Sequence, residues 1–374
     1  MTVTAETHQG ERMDHEGEFR ERPVTFERPE RHFAFLVAPD GAMLGLDGDG
    51  AFALYDDADD RVIWDRTPEG VRHVAAGKAI AAEFDRDTCT LPVGSDETVF
   101  AIAYGPEKLP SEYLEHLNRE GWVCLTCILS PEIVEGLQRV AGSDRHEGAP
   151  TTRDIPMVCQ HSAVGRAICE PVSLWLIRQY VGTRDLHLGH PPNCNSLAPW
   201  DGNRPAQGWH SDIPYIPSVG GNPVADRRGP IKAVQRNACI SDFSKENGAT
   251  AYKLGSHLAD TLPPPEWNPA RHGPDPTARP YSGPDADVIE APAGSIVLYD
   301  ARTWHRAGFN RSNRKRAAML MSFQTPDVIP KRDTRPVCKR LQKSPVYQQL
   351  DARQQREITE LMMNRPENDP HGRS

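Results

Sequence analysis

The chain of 374 residues has little that would carry it to a membrane, a secretory route or a nucleic acid. No run of about 18 apolar residues occurs, which is the length a membrane-crossing helix needs. The opening stretch MTVTAETHQGERMDHEGEFRERP lacks the basic-then-apolar order of a signal peptide. Basic residues are outnumbered, 43 Lys and Arg against 52 Asp and Glu, and the net charge of −9 offers no general attraction for polyanions or an anionic bilayer. Cysteine is sparse. The one close pair among eight, Cys124 and Cys127, lies in the strand-like run GWVCLTCIL, where positions three apart face opposite sides. That spacing argues against a zinc or redox pair and for reduced core thiols, as in a reducing compartment. The absences together predict a soluble, cytoplasmic protein with no nucleic-acid or membrane partner.

What is present predicts several units. Residues 1–31 are charged and without periodicity, and read as a flexible tail. Over 32–105 short apolar runs (FAFLVA, AMLGL, AFALY, RVIW) alternate with DG, DGDG and DDADD, the pattern of turn-linked strands in a small β-rich accessory unit. Asp47-Gly48-Asp49-Gly50 lacks the spaced oxygen ligands and closing Glu of a calcium loop and reads as a hairpin turn. A helix from Pro110 precedes a strand, then a second helix with Ser130 as N-cap and Pro131 at its first position, and a third from Pro171 to Tyr180. From His187 to Gln324 apolar strands are broken by turn clusters, so 108–330 is expected to be an antiparallel β-barrel or sandwich with helices outside. The proline-rich stretch Leu262 to Asp287 cannot be a central strand and reads as a long loop suited to cover a site. Residues 331–374 read as a C-terminal helix and tail.

The chemistry concentrates in two segments. In QGWHSDIPY, His210 and Asp212 are two apart, so a strand would turn both to one face; by itself such a pair is common. In GSIVLYDARTWHRAGFNRSNRKRAAMLMSF, His305 follows the expected strand Ile296 to Tyr299 and precedes another from Ala317 to Phe323. A third ligand from a neighbouring strand completes two His and one carboxylate, the set that leaves open positions on non-haem Fe(II). Arg316 stands at the mouth of the second strand, where a guanidinium can pair with a dicarboxylic acid such as 2-oxoglutarate. Arg306, Arg311, Arg314 and Lys315 crowd the same hairpin and are expected to be solvated.

The order of QGWHSD, then SDFSKENGAT with LGSH, then PAGSIVLYD with WHRAGFNRSNRKR resembles the phytanoyl-CoA dioxygenase family of Fe(II)/2-oxoglutarate oxygenases. The likeness runs from about Pro110 to Phe323. It implies a double-stranded β-helix (jelly-roll) with helical support, iron on His210, Asp212 and His305, and the distal carboxylate of 2-oxoglutarate on Arg316. It further implies Gln207 at the keto-acid end of that cosubstrate and Thr250 near its distal carboxylate. Gly248, Gly255 and Gly294 match turn positions, His257 is a structural turn residue, and Leu254 replaces the usual proline before Gly255. Trp209, Trp304, Tyr215 and Phe309 flank the ligands, as pocket floor or as core.

The activity so implied is oxidation, chiefly hydroxylation, of an unactivated C–H bond of a small natural-product or metabolic intermediate, consuming O2 and 2-oxoglutarate and releasing succinate and CO2. The retained carboxylate at Asp212 speaks against halogenation, since related halogenating enzymes carry Gly or Ala there. The competing reading is a cupin-like metal-binding module or a zinc hydrolase, neither of which needs a cation at the position of Arg316.

Overall fold

The computed structural model describes residues 21–85, 87–93, 96–148, 152, 154–201, 208–212, 229–264 and 285–364. Three sheets carry the fold, and two of them build the site. The six-stranded sheet runs in the order Trp122–Leu125, Ile296–Asp300, Ala233–Cys239, Arg316–Gln324, His187–Leu188, with Asn193–Leu197 also paired to Arg316–Gln324. All its pairings are antiparallel. Alternation sorts its side chains: Ile296 and Leu298 face the helices, whereas Val297 and Tyr299 face the second sheet.

The helical layer is set by local signals. Ser130 accepts from the Ile133 amide and Pro131 opens the helix Pro131–Ala141; Glu170 caps Pro171–Val181 through the amides of Val172 and Ser173. The C-terminal region contains two helices, Arg335–Gln342 and Ala352–Met363, and their apolar residues Leu341, Ile358 and Leu361 enter the same core. A buried bidentate pair between Arg178 and Glu357, 2.6 and 3.0 Å, fixes the last helix to Pro171–Val181. Among the described residues no helix is long and apolar enough to cross a membrane.

The second sheet has four strands in the order Glu21–Thr25, Ala286–Glu290, Ala251–Lys253, Trp304–Arg306. It faces the larger sheet across a core of Trp122, Trp209, Tyr252, Val288 and Tyr299. The molecule is thus mainly β in the expected jelly-roll manner, with the two sheets face to face and, among the described residues, not closed into a continuous barrel. The first strand corrects the tail expected over 1–31: Glu21–Thr25 pairs in parallel with Ala286–Glu290. Its composition looks disordered because it borrows its apolar partners from a strand 265 residues away.

The third sheet, nine strands within residues 34–104, encloses its own core of Leu36, Leu44, Trp64, Leu91 and Phe100. Asp47 makes its hairpin as expected, its carboxylate accepting from the amides of Asp49 and Ala51 at 3.0 and 2.8 Å. This unit meets the C-terminal helix where the Arg353 amide donates to Asp40 and the guanidinium to Gly41. Within 262–287, residues 265–284 lie outside the described residues, and Ala286 and Asp287 belong to an edge strand.

Candidate metal centre

His210 and His305 are joined by an antiparallel bridge. The His210 amide donates to the His305 carbonyl at 3.0 Å and the reverse bond is 2.9 Å. Residues so paired project to one face, and the imidazole centroids lie 4.3 Å apart. Asp212 is held by its amide bond to the Ala301 carbonyl at 3.0 Å. Its carboxylate lies 3.4 Å from His305 Nε2 and 4.0 Å from His210 Nε2. One ligand atom from each residue falls within 4.8 Å of the others. The three predicted ligands therefore converge, although His210 and Asp212 sit on a bridge and a bend rather than on a regular strand.

The donor atoms suit a divalent cation. His210 Nδ1 lies 3.1 Å from the Gly208 carbonyl and His305 Nδ1 lies 3.0 Å from the Thr303 carbonyl. A carbonyl can only accept, so each Nδ1 carries a proton and Nε2, on the side of Asp212, is the atom each imidazole has to offer a metal. Burial, followed by the neighbouring His210, pushes the His305 imidazole down to about 4, which keeps it neutral and ligating at physiological pH. Two imidazole Nε2 atoms and one carboxylate fit a ferrous ion with positions to spare.

Beside them lies a cavity of about 1030 Å³, lined by all three candidate ligands and by Thr250, Arg316 and Tyr299. Arg316 is 7% exposed, its side chain donating to the Gly248 carbonyl and lying 4.6 Å over the Phe243 ring. Its Nε has no partner, and the titratable groups beside it are the thiol of Cys239 and the phenol of Tyr252, both kept neutral by burial, with no carboxylate among the described residues. Burial pulls it down to about 10, still charged at neutral pH. Gly248 is needed here: at φ +77 a Cβ would fall 2.7 Å from the Asn310 amide nitrogen. Thr250 lines the same wall, and Tyr252 accepts from Asn237 Nδ2 at 3.2 Å.

Other expectations need correction. Arg314 and Lys315 are exposed, but Arg306 is fully buried and Arg311 nearly so, both held by Glu21 at 2.7 and 3.0 Å. The cavity floor is not aromatic in the expected way, for Trp209 and Phe309 are packed in the inter-sheet core and Trp304 packs against it. Tyr299 takes that place, its ring 5.2 Å from His305. His257 packs against Gly121, a structural position. Gln207 and Tyr215 lie outside the described residues. Tyr299, Asn237 and Glu21 carried no motif; only the strand alternation of IVLYD could have pointed to Tyr299.

The phytanoyl-CoA dioxygenase (PhyH) family matches residues 117–318, more than half of the chain. Dioxygenase af480 of Aspergillus fumigatus is 34% identical over 94 residues, 25% of this chain and 26% of that protein. Dioxygenase olcK of Penicillium canescens is 27% identical over 131 residues, 35% and 37% of the two chains. The matched part thus spans well under half of either relative. Among solved structures, the non-haem α-ketoglutarate-dependent epimerase SnoN from nogalamycin biosynthesis is 17% identical with a TM-score of 0.41, covering 58% of this chain and 83% of its own. On the extent of the family match, the chain belongs to the phytanoyl-CoA dioxygenase family of iron- and 2-oxoglutarate-dependent oxygenases.

Proposed function

We propose that the protein oxidises a C–H bond of a small molecule, most simply to an alcohol, with 2-oxoglutarate and O2 as cosubstrates and succinate and CO2 as coproducts. The observation that carries this is Arg316, a buried guanidinium with no carboxylate partner among the described residues, on the wall of the cavity lined by His210, Asp212 and His305. A ferrous ion on those three residues would supply oxygen activation coupled to decarboxylation of the keto acid.

The chain's own contribution is binding and orientation. Arg316 takes the distal carboxylate of 2-oxoglutarate, with the Thr250 hydroxyl as a second donor, and so aims the keto-acid end at the metal ligands. Gln207 is proposed to meet that keto-acid end. The carbonyls of Gly208 and Thr303 hold the two imidazoles in one tautomer. Tyr299 closes the inner wall beside His305 and keeps water from that side. A zinc hydrolase has no use for the buried cation at 316, which is why the oxygenase reading is preferred.

The test is aerobic incubation with Fe(II) and carbon-labelled 2-oxoglutarate. Labelled succinate and CO2 in equal amounts, dependent on iron and absent with zinc, is the expected result. Hydrolytic activity with zinc and no decarboxylation with iron would overturn the proposal.

A further inference from the structure

The strand Arg316–Gln324 turns alternate residues into the cavity, and Arg316, Leu320, Ser322 and Gln324 all line it. Ser322 and Gln324 stand at the end remote from Arg316, Ser322 roughly 20 Å along the strand at about 3.3 Å per residue. The register places Gln235 between Ser322 on one neighbouring strand and Tyr299 on the other. Tyr299 touches His305, so this polar trio begins beside the metal ligands and continues away from the cosubstrate cation.

The hydrogen bonding within the trio is incomplete. Gln235 Nε2 and Gln324 Nε2 both donate to Ser322 Oγ, at 3.2 and 3.1 Å. Two donors occupy the oxygen's two lone pairs and leave the hydroxyl proton unused. Gln324 Oε1 has no partner, and the residue is 3% exposed. Reversing the amide would let the Ser322 hydroxyl donate to Gln324 Oε1 and leave the Gln324 amide nitrogen as an unmade donor, so the Gln324 amide keeps an open polar atom in either orientation. A glutamine's terminal torsion is soft, so a small rotation brings the amide to the cavity. Space for it is kept by Gly189, which also lines the cavity: a Cβ there would lie 2.6 Å from Gln324 Nε2.

We infer that Gln235, Ser322 and Gln324 form the substrate-recognition end of the cavity and take a hydroxyl or amide-type group. The substrate class is then a compound carrying such a polar group near the oxidised carbon, not a plain hydrocarbon chain. A hydroxyl both donates and accepts, so it completes the site in either orientation of the Gln324 amide, donating to a free Gln324 oxygen or accepting from a free Gln324 amide nitrogen. Buried groups left unpaired discriminate strongly against a ligand that lacks the complementary group. The inference rests on the oxygenase reading, because it takes the metal ligands as the point toward which the substrate is held.

The experiment uses the full chain loaded with Mn(II) and 2-oxoglutarate. Proton relaxation of two probe pairs, 1-indanol with indane and cyclohexanol with methylcyclohexane, reports their approach to the paramagnetic ion. Wild type is expected to bind each alcohol at least tenfold more tightly than its hydrocarbon partner. Gln324→Met, close in volume, should bring each pair within twofold, and Gly189→Ala, which displaces the amide without touching a strand-face residue, should weaken alcohol binding in the same direction. Pairs that behave alike on wild type, including no binding of either member, overturn the inference, as does a tenfold preference that survives in both variants. Water relaxivity during titration with Mn(II) and 2-oxoglutarate separates the two failures. Normal cosubstrate binding without alcohol preference removes this inference alone, while no cosubstrate binding removes the oxygenase reading.

Discussion

Arg306 and Arg316 lie ten residues apart, both buried on strands, and their surroundings could hardly differ more. Arg306 is 0% exposed and meets Glu21, which also holds Arg311, so its charge is compensated within the chain. Arg316 has no carboxylate partner among the described residues and lines the cavity. Arg236, also buried, has no salt bridge among the described residues either, but it faces the helices, donating to the Ala167 carbonyl and to Ser173 Oγ. An uncompensated buried charge is costly, so burial by itself says little. The combination of burial, missing counter-charge and an open cavity marks a position completed by a ligand, whereas a position completed by the chain's own acid is scaffold.

Removing the carboxylate proposed as the anionic metal ligand should have the largest effect. Asp212→Ala is expected to lower bound iron to under a tenth of wild type and succinate release by more than about 1000-fold, with the thermal midpoint nearly unchanged because Asp212 supplies no core packing. Iron stoichiometry and calorimetry read both. On the scaffold side, Glu21→Gln leaves Arg306 and Arg311 facing a neutral amide and should cost about 3 kcal/mol of stability in urea unfolding. The affinity of the remaining folded protein for 2-oxoglutarate should stay within twofold; a large loss there would erase the distinction between the two arginines. Asp47→Ala removes the carboxylate that closes its hairpin and should cost about 1 kcal/mol by the same unfolding assay. Arg314→Ala, on the exposed part of the hairpin between the two arginines, should fall within about 0.5 kcal/mol of wild type.

Legibility followed the range of the interactions. Helix starts at Pro110, Pro131 and Pro171 and the Asp47 turn depend on neighbours within a few residues, so local chemistry announced them. The convergence of the three candidate ligands was legible because His210, Asp212 and His305 sit in two distinctive segments, yet the bridge that presses the two histidines together joins residues 95 apart and has no local mark. The sorting of the hairpin arginines was misread for the same reason. Arg306 is buried because Glu21 reaches it from a strand 285 residues earlier, within a stretch whose charge content looked like a tail. Gln324 and Ser322 were invisible as a site, since a polar residue at the end of an apolar strand gains meaning only when the cavity beside it is known.

The most direct measurement of the central claim is the dissociation constant of 2-oxoglutarate on the anaerobic iron-loaded protein, read from the charge-transfer absorption of the complex, for wild type and Arg316→Met. The variant removes the guanidinium but keeps an apolar side chain in its place, so iron stoichiometry should be unchanged and the constant should rise about 100-fold, the magnitude expected for losing a charge-assisted pair. An unchanged constant, with iron still bound, would contradict the assignment of Arg316 as the cosubstrate cation and with it the account of the site.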